Sequence, residues 1–262
     1  MNLFFLLSSR RVLAAAAVLF FLPAWLPAQV GGGAGGARAA ADAAPDYLVS
    51  LRDLSIPSRA RDAFQEGNRR LAKADFLHSA QQFQRAIARF ADYYEAYFYL
   101  GISEMNLGQP EEAEKDFQKS LELSAGRYAQ ADFGLGLLWC DRGNFSDAMT
   151  PIQKGLDLDN DSWFGYYAQA RALFGLDRLR DAEKSARQAL ARKADLADAY
   201  LLLADVHSRE NSTAMVLQDL DEYIACDPDS STRAKARKVR KKIAEKYPPA
   251  LSTDTRAADS QP

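Results

Sequence analysis

The sequence predicts an all-α solenoid of about five helix-turn-helix repeats, closed by a C-terminal capping helix. Columns of like residues, each with five members, recur along the 262-residue chain at a spacing of 34 or 35 residues. Within each repeat, small residues and large apolar residues are three or four positions apart, which places them on one helical face. Turn residues separate the two helical stretches of a repeat. A period of this length indicates stacked helix pairs rather than one conventional core.

The composition is that of an ordinary folded protein, and it excludes several classes of function. Apolar residues make up 48% of the chain and charged residues 26%, so global disorder is not expected. The net charge of −2 gives no reason to expect a nucleic acid partner. Two Cys and two His are too few for a disulfide framework or a typical zinc site. We therefore predict no cofactor and no metal.

The N-terminus has the pattern of an export signal. Asp and Glu are absent up to residue 41, Arg10 and Arg11 precede an eleven-residue apolar run, and Ala28 provides a small residue at the exit. This pattern predicts a cleaved signal peptide over residues 1–28, and hence a periplasmic or secreted protein. An uncleaved membrane anchor is the alternative, although two prolines interrupt the end of the apolar stretch. No Cys lies near the exit, so a lipoprotein is not expected.

A flexible linker and an apolar lead-in are predicted over residues 29–58. Gly31–Gly36 and the alanines after it cannot bury a core, which is typical of a spacer. Tyr47–Ile56 is too apolar for a free linker. We favour packing of this segment against the first repeat over binding of a partner.

The repeat array is predicted over residues 59–230. The five repeats span about residues 60–93, 94–127, 129–162, 163–196 and 197–230. The first column, which serves below as the reference column, contains Gly67, Gly101, Gly136, Ala170 and Ala204. Twelve residues later stand Ser79, Ala113, Ala148, Ala182 and Val216, and four further on stand Phe83, Phe117, Ile152, Ala186 and Leu220.

Repeat two shows how each repeat is predicted to fold. Tyr97, Gly101 and Met105 form one apolar stripe. The segment Asn106–Pro110 then breaks the helix, and acidic residues after the proline favour the start of a second helix. In repeat five, Asn211–Ser212 replaces the glycine turn.

A capping helix is predicted over residues 231–249, followed by a disordered tail at 250–262. Ser230 or Ser231 can cap its N-terminus, and two prolines end it after about Tyr247. Its predicted buried stripe is Ala234, Val239, Ile243 and Tyr247.

The pattern resembles the tetratricopeptide repeat family over about residues 60–230. Leu100-Gly101, Ala113 and Phe117 carry the likeness in repeat two, with Leu135-Gly136 and Ala148 in repeat three and Tyr200, Leu203 and Pro228 in repeat five. The resemblance implies a right-handed superhelix whose first helices line a concave groove. It also implies binding of a protein or peptide in that groove.

The groove positions implied by the resemblance are aromatic and apolar in repeats one to four. The predicted partner-binding residues are Phe64, Asn68, Phe98, Ile102, Met105, Phe133, Leu137, Tyr167, Arg171 and Phe174. An exposed aromatic trough would accept an extended or helical peptide with apolar anchors. The alternative is that these side chains pack against each other, since aromatic residues at helical spacing commonly form core.

We expect a non-catalytic protein–protein interaction adaptor. No nucleophile motif and no Gly-rich phosphate loop support an enzyme. A structural cell-envelope or self-association scaffold, using the terminal helices, is the alternative. Residues 231–247 carry eight basic residues and one acidic residue, a net charge of +7. This basic face is expected to be a solvated cap, with contact to anionic lipid or an acidic partner as the alternative.

Overall fold

The computed structural model describes residues 55–226 and 230–247. The predicted signal peptide, the linker, nearly all of the lead-in and the C-terminal tail lie outside the described residues. Ile56, at the end of the lead-in, is buried.

The described residues form eleven α-helices and no strand. They are α1 (Ser58–Ala72), α2 (Phe76–Arg89), α3 (Tyr94–Leu107), α4 (Pro110–Leu123), α5 (Ala129–Asp141), α6 (Phe145–Leu158), α7 (Trp163–Gly175), α8 (Leu179–Arg192), α9 (Ala197–Arg209), α10 (Thr213–Cys226) and α11 (Ser230–Lys246). The first ten helices form five pairs, one for each repeat of the sequence. The prediction of an all-α helix-turn-helix repeat fold is confirmed.

One turn geometry joins the two helices of every pair. A residue with φ between 55° and 81° stands seven positions after the reference column: Ala74, Gly108, Gly143, Asp177 and Asn211. The amide of the next residue donates to the carbonyl oxygen five positions earlier, at 2.8–3.0 Å in all five turns. This is the Schellman arrangement that ends helices at a left-handed residue. Asn211 therefore replaces glycine without changing the turn, because Asn tolerates positive φ.

The described helices fall into two compact units, an N-terminal unit with α1–α4 and a C-terminal unit with α5–α11. In the N-terminal unit, glycines of the reference column let the paired helices approach closely. A methyl group at Gly67 would lie 2.6 Å from the Phe83 ring, and one at Gly101 would lie 2.8 Å from Phe117. Both distances are shorter than any ordinary contact, so the large ring sixteen residues later requires glycine at the reference position.

The C-terminal unit solves the same packing problem with different pairs of side chains. Gly136 faces Ile152, whereas Ala170 faces the smaller Ala186 and packs with Leu202 and Leu203 of α9. In repeat five the core contains Leu201, Ala204, Val216, Leu220 and Tyr223. In the first two of these repeats, the smaller reference residue therefore faces the larger side chain.

The last helix, α11, covers the core of repeat five. Ala236 is fully buried against Leu220 and Tyr223, with Val239 and Ile243 partly buried beside it. The predicted stripe was wrong at its two ends, since Ala234 is exposed and Tyr247 is 51% exposed. The helix instead docks through Thr232, Ala236, Val239 and Ile243, which recur at intervals of four, three and four residues. Across the part of the chain that the structure describes, no helix is long and apolar enough to span a membrane.

Candidate functional site

The ten residues predicted to bind a partner differ in exposure. Six are buried, namely Phe64, Phe98, Ile102, Phe133, Leu137 and Tyr167, and four are partly exposed, namely Asn68, Met105, Arg171 and Phe174. At the six buried positions the structure has packed core instead of the expected open aromatic trough. Partner binding by the ten residues stays a prediction, and the four partly exposed ones are those that a partner can reach directly.

Aromatic packing explains why the predicted groove residues of the N-terminal unit, Phe64 and Phe98, are buried. The Phe64 ring centroid lies 4.8 Å from that of Tyr93, 5.5 Å from Tyr99 and 5.6 Å from Phe83. The Phe98 ring lies 5.8 Å from Phe117. Such pairs add about 0.5–1.5 kcal/mol each to the free energy of burial. Since the rings contact one another across neighbouring helices, they hold the unit together.

Phe133 has the same role in the C-terminal unit. Its ring stands nearly perpendicular to Phe164, with centroids 5.9 Å apart. A methyl group at Gly155 or Gly165 would lie 2.5 or 2.6 Å from the Phe133 ring. Two glycines therefore make the room that this side chain fills, which is the mark of a core residue.

Polar atoms without protein partners lie beside the core on the first helices. The Oδ1 atoms of Asn68 and Asn106 and the hydroxyl of Tyr167 are buried and form no hydrogen bond with the described residues. Asn68 on α1 stands one position after the reference column, and Asn106 on α3 stands five positions after it. The two repeat positions are one turn apart, so they lie on the same face of the first helix of a repeat. An unpaired buried polar group costs about 1–3 kcal/mol, so a ligand or water that pairs with it gains that energy.

A pair of carboxyl groups is buried between α3 and α4. Glu104 and Asp116 share a hydrogen bond, which requires that one of them carries a proton. Burial, reinforced by the charge of Asp116, raises the pKa of Glu104 to about 8. Burial also raises the pKa of Asp116 to about 6, against the opposing effect of its hydrogen bond with Glu104. The pair therefore changes its proton content near neutral pH.

The partly exposed positions of the C-terminal unit combine an aromatic ring with arginines. The guanidinium of Arg209 lies 4.0 Å from the centroid of the Phe174 ring, and its Nη1 lies 2.8 Å from Asp177. Arg171 donates from Nη2 to Asp141 at 2.7 Å, which links α7 to α5. Burial lowers the pKa of Arg171, but the charge of Asp141 outweighs it and the net direction is upward. We define the Phe174 patch as Asp141, Arg171, Phe174, Asp177 and Arg209.

A second polar cluster lies between α8, α9 and α10, and it was not identified from the sequence. His207 is 1% exposed, and its Nδ1 lies 2.5 Å from Oδ2 of Asp219. Its Nε2 lies 3.5 Å from Oε1 of Glu183 and forms no hydrogen bond with any described residue. Glu183, His207 and Glu210 each bring one ligand atom within 4.8 Å of the others.

The charged surroundings of this cluster are asymmetric. The hydrogen bond from Arg187 lowers the pKa of Glu183. Burial raises the pKa of Asp219, and the hydrogen bond to His207 opposes that rise. One signal for the cluster was present in the sequence, because Asp219 follows His207 by the same twelve residues that separate Glu104 and Asp116.

The basic face of α11 is mostly solvent-exposed. Arg240 forms a bidentate ion pair with Asp221 of α10, at 2.6 and 2.8 Å. Lys235, Arg237, Lys238 and Lys242 are exposed. Arg240 therefore helps to dock the helix, while most of its other cations face solvent.

Known proteins share the repeat pattern and the fold. Family models described as tetratricopeptide repeats match residues 94–127 and 167–231. No curated protein matches the chain in sequence. A thermophilic tetratricopeptide repeat protein of Thermus thermophilus superposes with a TM-score of 0.62 at 15% identity, covering 71% of this chain and 99% of that one.

Two further solved structures are similar. A tetratricopeptide repeat protein of Parabacteroides merdae has a TM-score of 0.60 at 15% identity, covering 72% of this chain and 74% of that one. PilF of Pseudomonas aeruginosa has a TM-score of 0.55 at 13% identity, covering 74% of this chain and 94% of that one. At these identities the likeness concerns the fold. With the repeated columns and the five helix pairs, the matches show that this chain is a tetratricopeptide repeat-containing protein.

Proposed function

We propose that the protein is a non-catalytic adaptor that binds a peptide or protein segment through the first helices of its repeats. Tetratricopeptide repeats generally serve as protein–protein interaction modules, which supports the adaptor role in general terms. The specific surface that we propose in the C-terminal unit is the Phe174 patch.

The observation that carries the proposal is the stacking of Arg209 on Phe174, at 4.0 Å, on a partly exposed face. Aromatic and arginine side chains are enriched among the residues that dominate binding energy at protein interfaces. Asp141 and Asp177 hold the two arginines of the patch, so their planar donors are already oriented before a partner arrives. Phe174 offers the apolar anchor and the arginines offer polar contacts.

The test is a selection of peptides from a displayed random library on the whole chain, followed by affinity measurement on single variants. Phe174→Ala is expected to weaken a selected peptide at least tenfold, equivalent to about 1.4 kcal/mol. Leu158→Ala is the matched control, because Leu158 is a 48% exposed apolar residue at the end of α6. Its effect should be less than twofold.

Two outcomes would contradict this choice of surface: equal affinities of both variants and the wild type, or no saturable peptide. Phe98→Ala tests stability rather than binding, because Phe98 is buried. It should lower the free energy of unfolding by about 3–5 kcal/mol, in line with other buried Phe→Ala changes. Circular dichroism of each variant distinguishes lost binding from lost fold.

We also infer that the protein is exported, from the basic flank and apolar run of residues 1–28. A chain that begins at Gln29 in an envelope fraction would support export, and a chain that retains residues 1–28 in the cytoplasm would contradict it. The envelope scaffold is the second candidate, favoured by the exposed basic face of α11. Light scattering tests it, because a scaffold that self-associates through this helix should become monomeric without residues 231–249.

A further inference from the structure

We propose that Glu183, His207 and Glu210 bind one divalent transition-metal cation of the zinc class, with Asp219 as the positioning residue for the imidazole. The three ligand atoms lie within 4.8 Å of one another. The proposal is independent of the peptide-binding function, since it concerns α8–α10 and none of the residues of the Phe174 patch.

The buried histidine is the observation that raises this cluster above a chance group of acidic residues. His207 is 1% exposed, yet its Nε2 has no hydrogen bond among the described residues and points towards Glu183, 3.5 Å away. A buried polar atom without a partner costs about 1–3 kcal/mol. A cation bound at Nε2 would remove that cost.

The hydrogen bond on the other side of the ring selects the tautomer that a metal requires. Nδ1 lies 2.5 Å from Asp219, and a carboxylate can only accept, so Nδ1 carries the donated hydrogen and Nε2 is the nitrogen left for a metal. Carboxylate–histidine–metal arrangements of this kind fix the ring and increase its basicity. Asp219 is itself buried on α10, which keeps the geometry rigid.

The spacing and type of the ligands fit a tetrahedral site. Zinc bonds to nitrogen and oxygen of about 2.0–2.2 Å place two ligands of a tetrahedron about 3.4 Å apart. The 3.5 Å between His207 Nε2 and Glu183 Oε1 matches that edge. One imidazole and two carboxylates suit Zn²⁺ and its first-row neighbours better than Ca²⁺ or Mg²⁺, which prefer oxygen ligands alone. The fourth position would be left to water.

Arg187 opposes the cation. It lies 2.7 Å from Oε1 of Glu183 through Nη2 and offsets part of the negative charge of the cluster. Removal of this guanidinium should therefore strengthen metal binding, whereas removal of a ligand should weaken it. Two changes of opposite sign within the same cluster distinguish a metal site from a purely structural network.

The experiment is calorimetric titration of Zn²⁺ into the metal-free whole chain. We expect one saturable equivalent in the wild type and at least tenfold weaker binding in Glu210→Gln, whose exposed side chain is not needed for packing. Arg187→Gln should bind severalfold more tightly. Asp219→Asn should lose about tenfold to a hundredfold, as other outer-shell changes do. The visible absorption of bound Co²⁺ should be lost in Glu210→Gln as well.

His78→Asn is the matched control, because His78 is an exposed imidazole paired with Asp75 at 2.8 Å. It should leave the affinity within twofold of the wild type. The proposal is overturned if no saturable equivalent binds, if Glu210→Gln binds as tightly as the wild type, or if His78→Asn loses the site. In the first case His207 would be a structural bridge between Asp219 and Glu183.

Discussion

At the scale of single residues, Glu104 shows how a repeat core controls protonation. Its carboxyl group is buried against Asp116, and its Oε2 atom has no partner among the described residues. Burial raises its pKa to about 8, so the folded N-terminal unit holds a proton that the unfolded chain would release. A group whose pKa is raised by folding stabilises at low pH and loses that contribution as the pH rises through the folded value.

The difference in free energy of unfolding between Glu104→Gln and the wild type should therefore grow as the pH rises. Near pH 5 the two proteins should be similar, because the wild-type carboxyl is protonated and neutral like the amide. Near pH 9 the variant should be more stable, because the wild type must bury a charge or release it by unfolding. Urea unfolding followed by circular dichroism at both pH values measures the difference.

Glu122→Gln is the matched control for this prediction. Glu122 lies on α4 with an exposed side chain that pairs with Lys119 at 2.9 Å. Exposed pairs contribute about 0–1 kcal/mol, so this variant should show no comparable dependence on pH. Parallel behaviour of Glu104→Gln and the wild type from pH 5 to 9 would mean that the buried carboxyl is not a stability determinant.

At the scale of the elements, the turn between paired helices is the most regular feature of the chain. Five turns place a residue with positive φ at the same position, but only Gly108 and Gly143 are glycine there. Positive φ costs an ordinary residue about 1–2 kcal/mol. Asp177 and Asn211 belong to the residue types that tolerate positive φ, whereas Ala74 does not. The turn at Ala74 is therefore held by the packing of its helices rather than by local preference.

Ala74→Gly should stabilise the N-terminal unit by about 1 kcal/mol, because Ala74 has a φ of 55° and glycine removes the strain. Gly143→Ala should destabilise the C-terminal unit by a similar amount. A methyl group at Gly143 would meet no atom within 4 Å, so the loss would come from the backbone alone. Chemical denaturation gives both values, and the same sign for the two variants would disprove the explanation.

At the scale of the whole molecule, stability should be a sum of contacts between neighbouring helix pairs. Truncation after Cys226 removes α11 and uncovers Leu220 and Tyr223, which pack against Ala236. Hydrogen exchange should accelerate in α9 and α10 and stay unchanged in α5 and α6. Truncation after Tyr247 is the control and should change neither region. Loss of protection along the whole chain would contradict a neighbour-by-neighbour account.

The fold was predictable because its signals repeat. A 34-residue period, small residues at the reference column and turn residues seven positions later all point to helix pairs. Depth of burial was not predictable, because Phe98 and Phe133 have the same helical spacing whether they face a groove or a core. The buried stripe of α11 differs from the predicted one because the face by which a terminal helix docks depends on the surface beneath it.

The candidate sites were predictable only in part. Arg171 and Phe174 were identified from the repeat register, but Arg209 and its stacking on Phe174 were not. Glu183 and His207 are 24 residues apart and meet only because successive helix pairs stack. Sequence spacing within one helix cannot show such a meeting, although the twelve-residue offset from His207 to Asp219 could have drawn attention to the histidine.

That offset has a consequence for how such a chain diversifies. Two positions of the repeat carry these pairs, one three residues and one fifteen residues after the reference column. They hold Glu104 and Asp116 in repeat two, and His207 and Asp219 in repeat five. Two substitutions at these positions would therefore be enough to place a buried titratable pair in another repeat. Exchange of a whole 34-residue repeat would then transfer its buried titratable pair to another position in the chain.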